Sequence, residues 1–231
     1  MTIVVLTGAG ISAESGVPTF RAADGLWEGH RVEDVATPEG YERNPVTVQR
    51  FYDARRRALA SVQPNTAHLA LARLERAIGD ELLVVTQNVD DLHERAGTRH
   101  LVHMHGELLR ARCDACGARV PWDVDLEPRP PCPRCGRRML RPDVVWFGEM
   151  PYELDRIERA VTACDVFVAV GTSGAVYPAA GYAALAAACG ARTVELNLER
   201  TDALVPFDDA RQGRAGELVP AWVDEVLATR R

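Results

Sequence analysis

The chain has 231 residues, 47% of them hydrophobic, with 33 acidic against 27 basic residues and a net charge of −6. That length supports one sizeable core plus a small satellite module. A mildly acidic chain draws in neither nucleic acid nor anionic lipid by its field, and no apolar run is long enough to span a bilayer, so neither partner is expected.

Met1 leads at once into the apolar run Ile3 to Leu6, which reads as a first buried strand and not as a signal peptide. A cytoplasmic protein is expected. The strand runs into Gly8-Ala9-Gly10-Ile11-Ser12-Ala13, which fits G-x-G-x-x-A. Glycines there permit a tight turn and let backbone N–H groups approach a pyrophosphate. The acid usual about 20 residues further on is missing. Asn197 and Glu199, after a later apolar run, are the better ribose candidates.

Residues from about Ala22 to Ser61 read as a polar, Arg-rich helical insertion. Within it, Tyr52 and Arg55 stand three apart and share a helix face. A phenol beside a guanidinium suits a carboxylate ligand, and it equally suits a solvated Arg cluster with a core tyrosine. A helix follows from about Asn65 to Ile78, with Leu71, Leu74 and Ile78 on one face, His68 in its middle and Gly79 as its stop. Leu82 to Thr86 reads as the next buried strand. Asn88 and Asp90 at its end point into one crevice, and Asp91 reads as the cap of a following helix. His93 is expected to cap or pack. His103 and His105 share a face on an extended segment, so spacing alone does not choose between them as a base. His100 is expected to be exposed.

From about Leu108 to Val145 the chain has six prolines and room for no long helix. Cys113-x-x-Cys116 and, fifteen residues on, Cys132-x-x-Cys135 have the spacing of a four-thiolate zinc site. Four thiolates leave no open position, so the metal is structural. The eight arginines from Arg110 to Arg141 read as a solvated face, and the unpaired Cys164 and Cys189 as small buried hydrophobes. Val166 to Val170 and Thr193 to Leu196 are two more buried strands. Between them lies an Ala-rich helix from Ala179 to Cys189, and a last amphipathic segment starts near Val219. Strands alternating with helices predict a Rossmann-like, doubly wound parallel α/β sheet. The expected division is a large domain of residues 1–21, 62–107 and 146–231 and a small one of 22–61 and 108–145.

The motifs in order are Gly8 through Arg21 (GAGISAESGVPTFR), Thr86 through His93 (TQNVDDLH), His103-Met104-His105-Gly106, the four cysteines, Pro142 through Glu149 (PDVVWFGE), Gly171-Thr172-Ser173 and Asn197-Leu198-Glu199. This series resembles the sirtuin family of NAD-dependent deacylases over nearly the whole chain. The resemblance implies that Gly8, Ala9, Gly10, Ser12, Ala13, Thr19, Phe20 and Arg21 wrap NAD, with Phe20 shielding the reacting sugar carbon. Gln87, Asn88 and Asp90 would line the nicotinamide and ribose pocket, and His105 would be the base. Gly171, Thr172 and Ser173 would meet the phosphate or adenosine side. Asn197, Leu198 and Glu199 would hold the adenosine ribose, with Ala215 near the adenine. Val145, Phe147, Gly148 and Glu149 would flank an extended acyl-lysine peptide. The Tyr52–Arg55 pair is similar to that of the desuccinylase and demalonylase branch, with Ala36 leaving room at the pocket floor. The implied reaction transfers the acyl group from lysine to ADP-ribose, giving nicotinamide and 2′-O-acyl-ADP-ribose, by a protein expected to be a monomer. The competing readings are a mono-ADP-ribosyltransferase and a zinc-ribbon binding module that senses NAD. All 27 basic residues are arginine, so the protein has no lysine side chain to be acylated itself.

Overall fold

The computed structural model describes residues 1–19, 26–27, 29–201 and 205–230. Six parallel strands form the main sheet: β1 (Ile3–Thr7), β4 (Leu82–Thr86), β5 (Leu101–His103), β9 (Val166–Val170), β10 (Arg192–Asn197) and β11 (Asp209–Gln212), in spatial order β11-β10-β9-β1-β4-β5. Successive residues of β1 face opposite sides. Ile3 and Val5 pack with Leu71, Leu74, Val219 and Val223 beneath α4 (Thr66–Ile78) and α8 (Ala215–Ala228). Val4 and Leu6 pack with Ile157, Val161 and Ala186 beneath α6 (Leu154–Ala163) and α7 (Tyr182–Ala188). Both faces of the sheet are covered, so the central strands β1, β4 and β9 read as apolar runs. Each fully buried Val or Leu contributes about 1.5–3 kcal/mol.

The smaller part comprises a hairpin of β2 (Leu26–Trp27) and β3 (His30–Arg31), then α1 (Val32–Val35), α2 (Pro38–Arg43) and α3 (Pro45–Leu59). An antiparallel sheet of β6 (Gly106–Cys113), β7 (Arg119–Pro121) and β8 (Leu140–Val144) joins them. Val35, Val48, Phe51 and Tyr52 share one core with Leu108, Val144 and Trp146, which supports grouping the two insertions. Asp53 ties α3 to the cysteine-bearing segment. Its carboxylate accepts from Arg56 at 2.6 Å and from the backbone N–H groups of Leu126 and Glu127 at 2.8 and 3.0 Å.

Two 3-10 turns follow β1, Ala9–Ile11 and Ala13–Ser15, and the second ends at Gly16 with φ 90°. Several expectations need correcting. His68 is not mid-helix. It sits at the third position of α4 and forms a reciprocal cap with Asn65. α8 begins at Ala215, four residues ahead of Val219, because the Glu14 carboxylate accepts from the Gly216 N–H at 2.7 Å and caps it from far away in sequence. The Ala-rich stretch is a 3-10 turn, Ala179–Gly181, and then α7. Cys189 is exposed, whereas Cys164 is buried as expected. The arginines of 110–141 are not all a solvated face. Arg141 is 2% exposed, under Trp146 and against Glu149, and Arg112 and Arg119 pair with Glu149 and Asp143. Among the described residues, no helix is long and apolar enough to cross a membrane.

Candidate active site and metal centre

The carboxyl ends of β1, β4, β9 and β10 lie side by side where the strand order reverses around β1. That edge is where an open α/β sheet offers a ligand crevice. Backbone bonds close the loops leaving it: Gly8 N–H to Val170 O at 3.0 Å, Gly10 N–H to Gly171 O at 2.8 Å, and Gly171 N–H to Leu196 O at 3.1 Å. A Cβ on Gly10 would stand 2.6 Å from the Gly171 Cα, and one on Gly8 2.8 Å from the Gly171 carbonyl oxygen. These two glycines are therefore required by loop-on-loop packing, whatever ligand the loop takes.

Side chains extend the same seam. Gln87 Nε2 donates to Thr172 Oγ1 and Asn197 Nδ2 to the Thr172 carbonyl, both at 2.8 Å. Deeper in, Asn88 Nδ2 donates to Ser12 Oγ at 3.0 Å, and the Ser12 hydroxyl donates to Asp90 Oδ2 at 3.0 Å. Asp90 Oδ1 accepts from the Leu92 N–H at 3.2 Å. Asp90 thus supplies the side-chain cap of the helix Leu92–Ala96 (α5), whereas Asp91, the expected cap, makes no capping bond. The i, i+4 contact with Arg95 at 3.6 Å occupies Asp91 instead. Burial holds the Asp90 carboxyl above the ordinary carboxylate range, against the bonds from Leu92 and Ser12.

Under this trio lies a buried histidine pair. His68 Nε2 is 3.4 Å from Ser12 Oγ, His93 Nε2 is 3.1 Å from Thr7 Oγ1, and the two rings meet edge to face at 4.9 Å. Burial pushes His68 down to about 4 and His93 well below its usual value. The unfolded chain takes up these protons first, so this contribution to stability is full above pH ~6.5 and is lost as pH falls toward 4. Urea midpoints are expected to drop between pH 7 and pH 5, and His68→Gln should flatten part of that drop. An unchanged slope would show that His68 is not buried neutral.

His103 and His105 brace consecutive carbonyls. His103 Nδ1 lies 3.0 Å from Asn88 O, with Nε2 2.8 Å from Glu94. Despite burial, Glu94 holds His103 above the usual histidine value. His105 Nδ1 lies 3.1 Å from Gln87 O, and burial holds its ring below the usual value. Ser173 and Glu199 are exposed at the rim, as is Leu198, 57% exposed. Ala9 is half-buried, Ala13 exposed and Thr19 half-buried along the opening loop, and Ala215 is buried at the head of α8. Phe20 and Arg21 lie outside the described residues.

Val145 N–H donates to His105 O at 2.8 Å and Phe147 N–H to Ala36 O at 3.0 Å, which fixes the segment after β8 beside β5 and α1. Phe147 is 46% exposed, and Gly148 takes φ 89°. Glu149 is committed internally: it accepts from the Trp146 N–H at 2.9 Å and from Arg112 and Arg141. Tyr52 is buried and accepts from the Trp146 indole at 3.0 Å. Arg55 turns the other way, with Cζ 3.2 Å from the Phe51 ring centre and 4.6 Å from that of Trp27. It borders a cavity of about 330 Å³ lined also by His30, Thr47, Arg50 and Ala54.

The four cysteine sulfurs of residues 113, 116, 132 and 135 lie within 4.8 Å of one another, with Cys113–Cys135 at 3.7 Å and Cys116–Cys132 at 3.9 Å. Zinc–sulfur bonds of about 2.3 Å in a tetrahedron require sulfurs about 3.8 Å apart, so the set fits zinc. Cys113 and Cys132 also join a small core with Ala111, Leu126 and Leu140. Chelation is expected to lower the thermal midpoint and to open the Arg134–Arg138 turn to trypsin, because the core there is small and two of its members are themselves metal ligands. Trypsin resistance that survives verified zinc loss would contradict this.

Known proteins decide the family. The Sir2 family model matches residues 8–178. The chain belongs to the Sir2 family. A relative from Salmonella typhimurium named NAD-dependent protein deacylase is 58% identical across 97% of this chain and 84% of its own. A solved Sir2 homologue–NAD complex superposes with a TM-score of 0.91 at 42% identity, over 100% of this chain and 91% of the other. A Sir2 protein bound to a myristoylated histone peptide gives 0.77 at 35% identity, over 99% and 92%. Similarity of this extent makes the chain an NAD-dependent deacylase.

Proposed function

We propose that this Sir2 protein removes carboxylate-bearing acyl groups such as succinyl and malonyl, as well as acetyl, from lysine side chains of extended peptides, with His105 as general base. The observation that carries the base assignment is the 3.1 Å contact of His105 Nδ1 with the Gln87 carbonyl. A carbonyl only accepts, so the ring proton sits on Nδ1 and Nε2 keeps its lone pair for a substrate hydroxyl. Burial keeps that ring neutral at pH 7. NAD supplies the ribose that parts from nicotinamide and whose hydroxyl receives the acyl group.

The chain's own residues hold that chemistry in place. Gln87, Asn88 and Asp90 would line the nicotinamide and ribose side, with Ser12 orienting Asn88 and Asp90. The loop from Gly8 to Arg21 would wrap the pyrophosphate. Gly171, Thr172, Ser173, Asn197, Leu198 and Glu199 would border the adenosine side, near Ala215. Val145 to Gly148 and residues 174–177 would take the peptide as an added strand. Glu149, spent on Arg112 and Arg141, would serve by stiffening that segment. A cytoplasmic, monomeric enzyme without a nucleic-acid partner completes the proposal, and the net charge of −6 supports the last point.

Tyr52 and Arg55 stand one helical turn apart on α3, and Arg55 borders the cavity of about 330 Å³, which supports the acidic-acyl preference. The test is a mass-spectrometric time course with succinyl- and acetyl-lysine peptides of one sequence. Arg55→Met should lower the succinyl-to-acetyl ratio about 10- to 100-fold, the range for a charge-assisted hydrogen bond. A wild-type enzyme that removes acetyl alone would refute the acidic-acyl preference.

A further inference from the structure

The contact between Trp146 and Tyr52 joins residues 94 apart in sequence and is buried on both sides. An indole N–H can only donate. The Tyr52 oxygen is therefore the acceptor in the 3.0 Å bond, and its own hydrogen must be directed elsewhere. Among the described residues, no group accepts that hydrogen. Burial raises the phenol far above its ordinary value, so it stays protonated at any working pH. A buried donor without an acceptor is costly, and a ligand that brings one removes the cost.

Trp146 is itself held from three directions. Its backbone N–H donates to Glu149 at 2.9 Å, the Arg141 guanidinium lies 3.8 Å from its ring centre, and the Tyr41 ring packs at 5.2 Å. Its indole N–H therefore has little freedom to follow a moving phenol. Trp146 lies within the segment, Val145 to Gly148, read above as flanking the peptide.

We propose that Trp146 is a positioning residue for acyl selectivity: its indole N–H occupies the lone-pair side of the Tyr52 oxygen and so directs the Tyr52 hydrogen at the terminal carboxylate of an acidic acyl group. The inference rests on the acidic-acyl reading and adds to it the reason that a neutral acyl group is the poorer ligand. A carboxylate accepts the phenol hydrogen, and an acetyl group offers nothing at that depth.

The test compares kcat/KM for succinyl- and acetyl-lysine peptides of one sequence in wild type, Trp146→Phe, Tyr52→Phe and the double variant. Each single change is expected to lower the succinyl-to-acetyl ratio about tenfold or more, mainly through KM for the succinyl peptide, the lower end for a hydrogen bond to a charged group. The double variant should be no worse than the poorer single one, because both remove the same oriented donor. If Trp146→Phe leaves the ratio unchanged while Tyr52→Phe lowers it, or if the two losses simply multiply, the positioning role is overturned and the acidic-acyl reading survives. If Tyr52→Phe leaves the ratio unchanged, the positioning role is overturned together with the part of that reading that rests on Tyr52. Should Trp146→Phe fail to fold, benzothienylalanine at 146 keeps the ring shape, lacks the N–H, and is read on the same ratio.

Discussion

His105→Ala should lower turnover of succinyl- and acetyl-lysine peptides together, by about 10²–10⁴-fold, the usual contribution of a positioned base. The loss is common to both substrates because the base acts on the ribose hydroxyl and not on the acyl chain. The same geometry sets the pH dependence. Burial holds the ring below its ordinary value, against the bond that Nδ1–H donates to the Gln87 carbonyl. The base is thus deprotonated through neutral pH, and the acid limb of the kcat/KM profile should fall below pH ~6.5. In wild type the limb would follow His105 protonation, and in the alanine variant it should vanish. A variant that retained activity within tenfold of wild type would place the base elsewhere, and His103 would be examined next.

Asp53→Ala should be among the most destabilising single substitutions in the protein, at about 3–5 kcal/mol. Asp53 and Arg56 form an ion pair at 2.6 Å with side chains 2% and 1% exposed. Removing the carboxylate leaves a buried guanidinium without its partner. It also frees the backbone N–H groups of Leu126 and Glu127. Urea unfolding of the variant measures the loss. Asp53→Asn, which keeps one acceptor, should lose less. Equal stabilities of wild type and Asp53→Ala would mean that the pair contributes nothing net.

The strands β1, β4 and β9, buried on both faces, were plain in the sequence as apolar runs, whereas β10 (Arg-Thr-Val-Glu-Leu-Asn) buries Glu195 against the backbone and hydroxyl of Thr201. β5 and β11 were not plain. β5 has three residues, and β11 is Asp-Ala-Arg-Gln, a polar edge strand whose charges pair with each other and with α8. Periodicity detects burial, and an edge strand has little. The cysteine cluster was legible because its chemistry is carried in a short motif, and the proposals for His105 and the loop residues rest on motifs of the same kind. The reasons behind them were not, because they are pairwise and long-range. The Glu14 cap on α8, the Asp53 bond to Leu126 and the Trp146 bond to Tyr52 span 202, 73 and 94 residues. That Asp90 and not Asp91 makes the capping bond escaped for a smaller reason: adjacent acids before a helix are equivalent on paper, and only the turn geometry picks the capping one.

The meeting of Gly8 and Gly10 with Gly171 bears on how this protein can change over time. Gly171 holds φ 58°, and a Cβ on it would stand 2.5 Å from the Ile11 amide nitrogen, just as one on Gly10 would strike Gly171. Each partner is already the smallest residue available, so a substitution on one side has no compensating shrinkage on the other. No sequence of single tolerated steps leads away from this arrangement. Diversification at the mouth of the crevice must instead run through outward-facing positions such as Ala13 and Ser173, where a new side chain can alter what is bound while the backbone seam stays as it is.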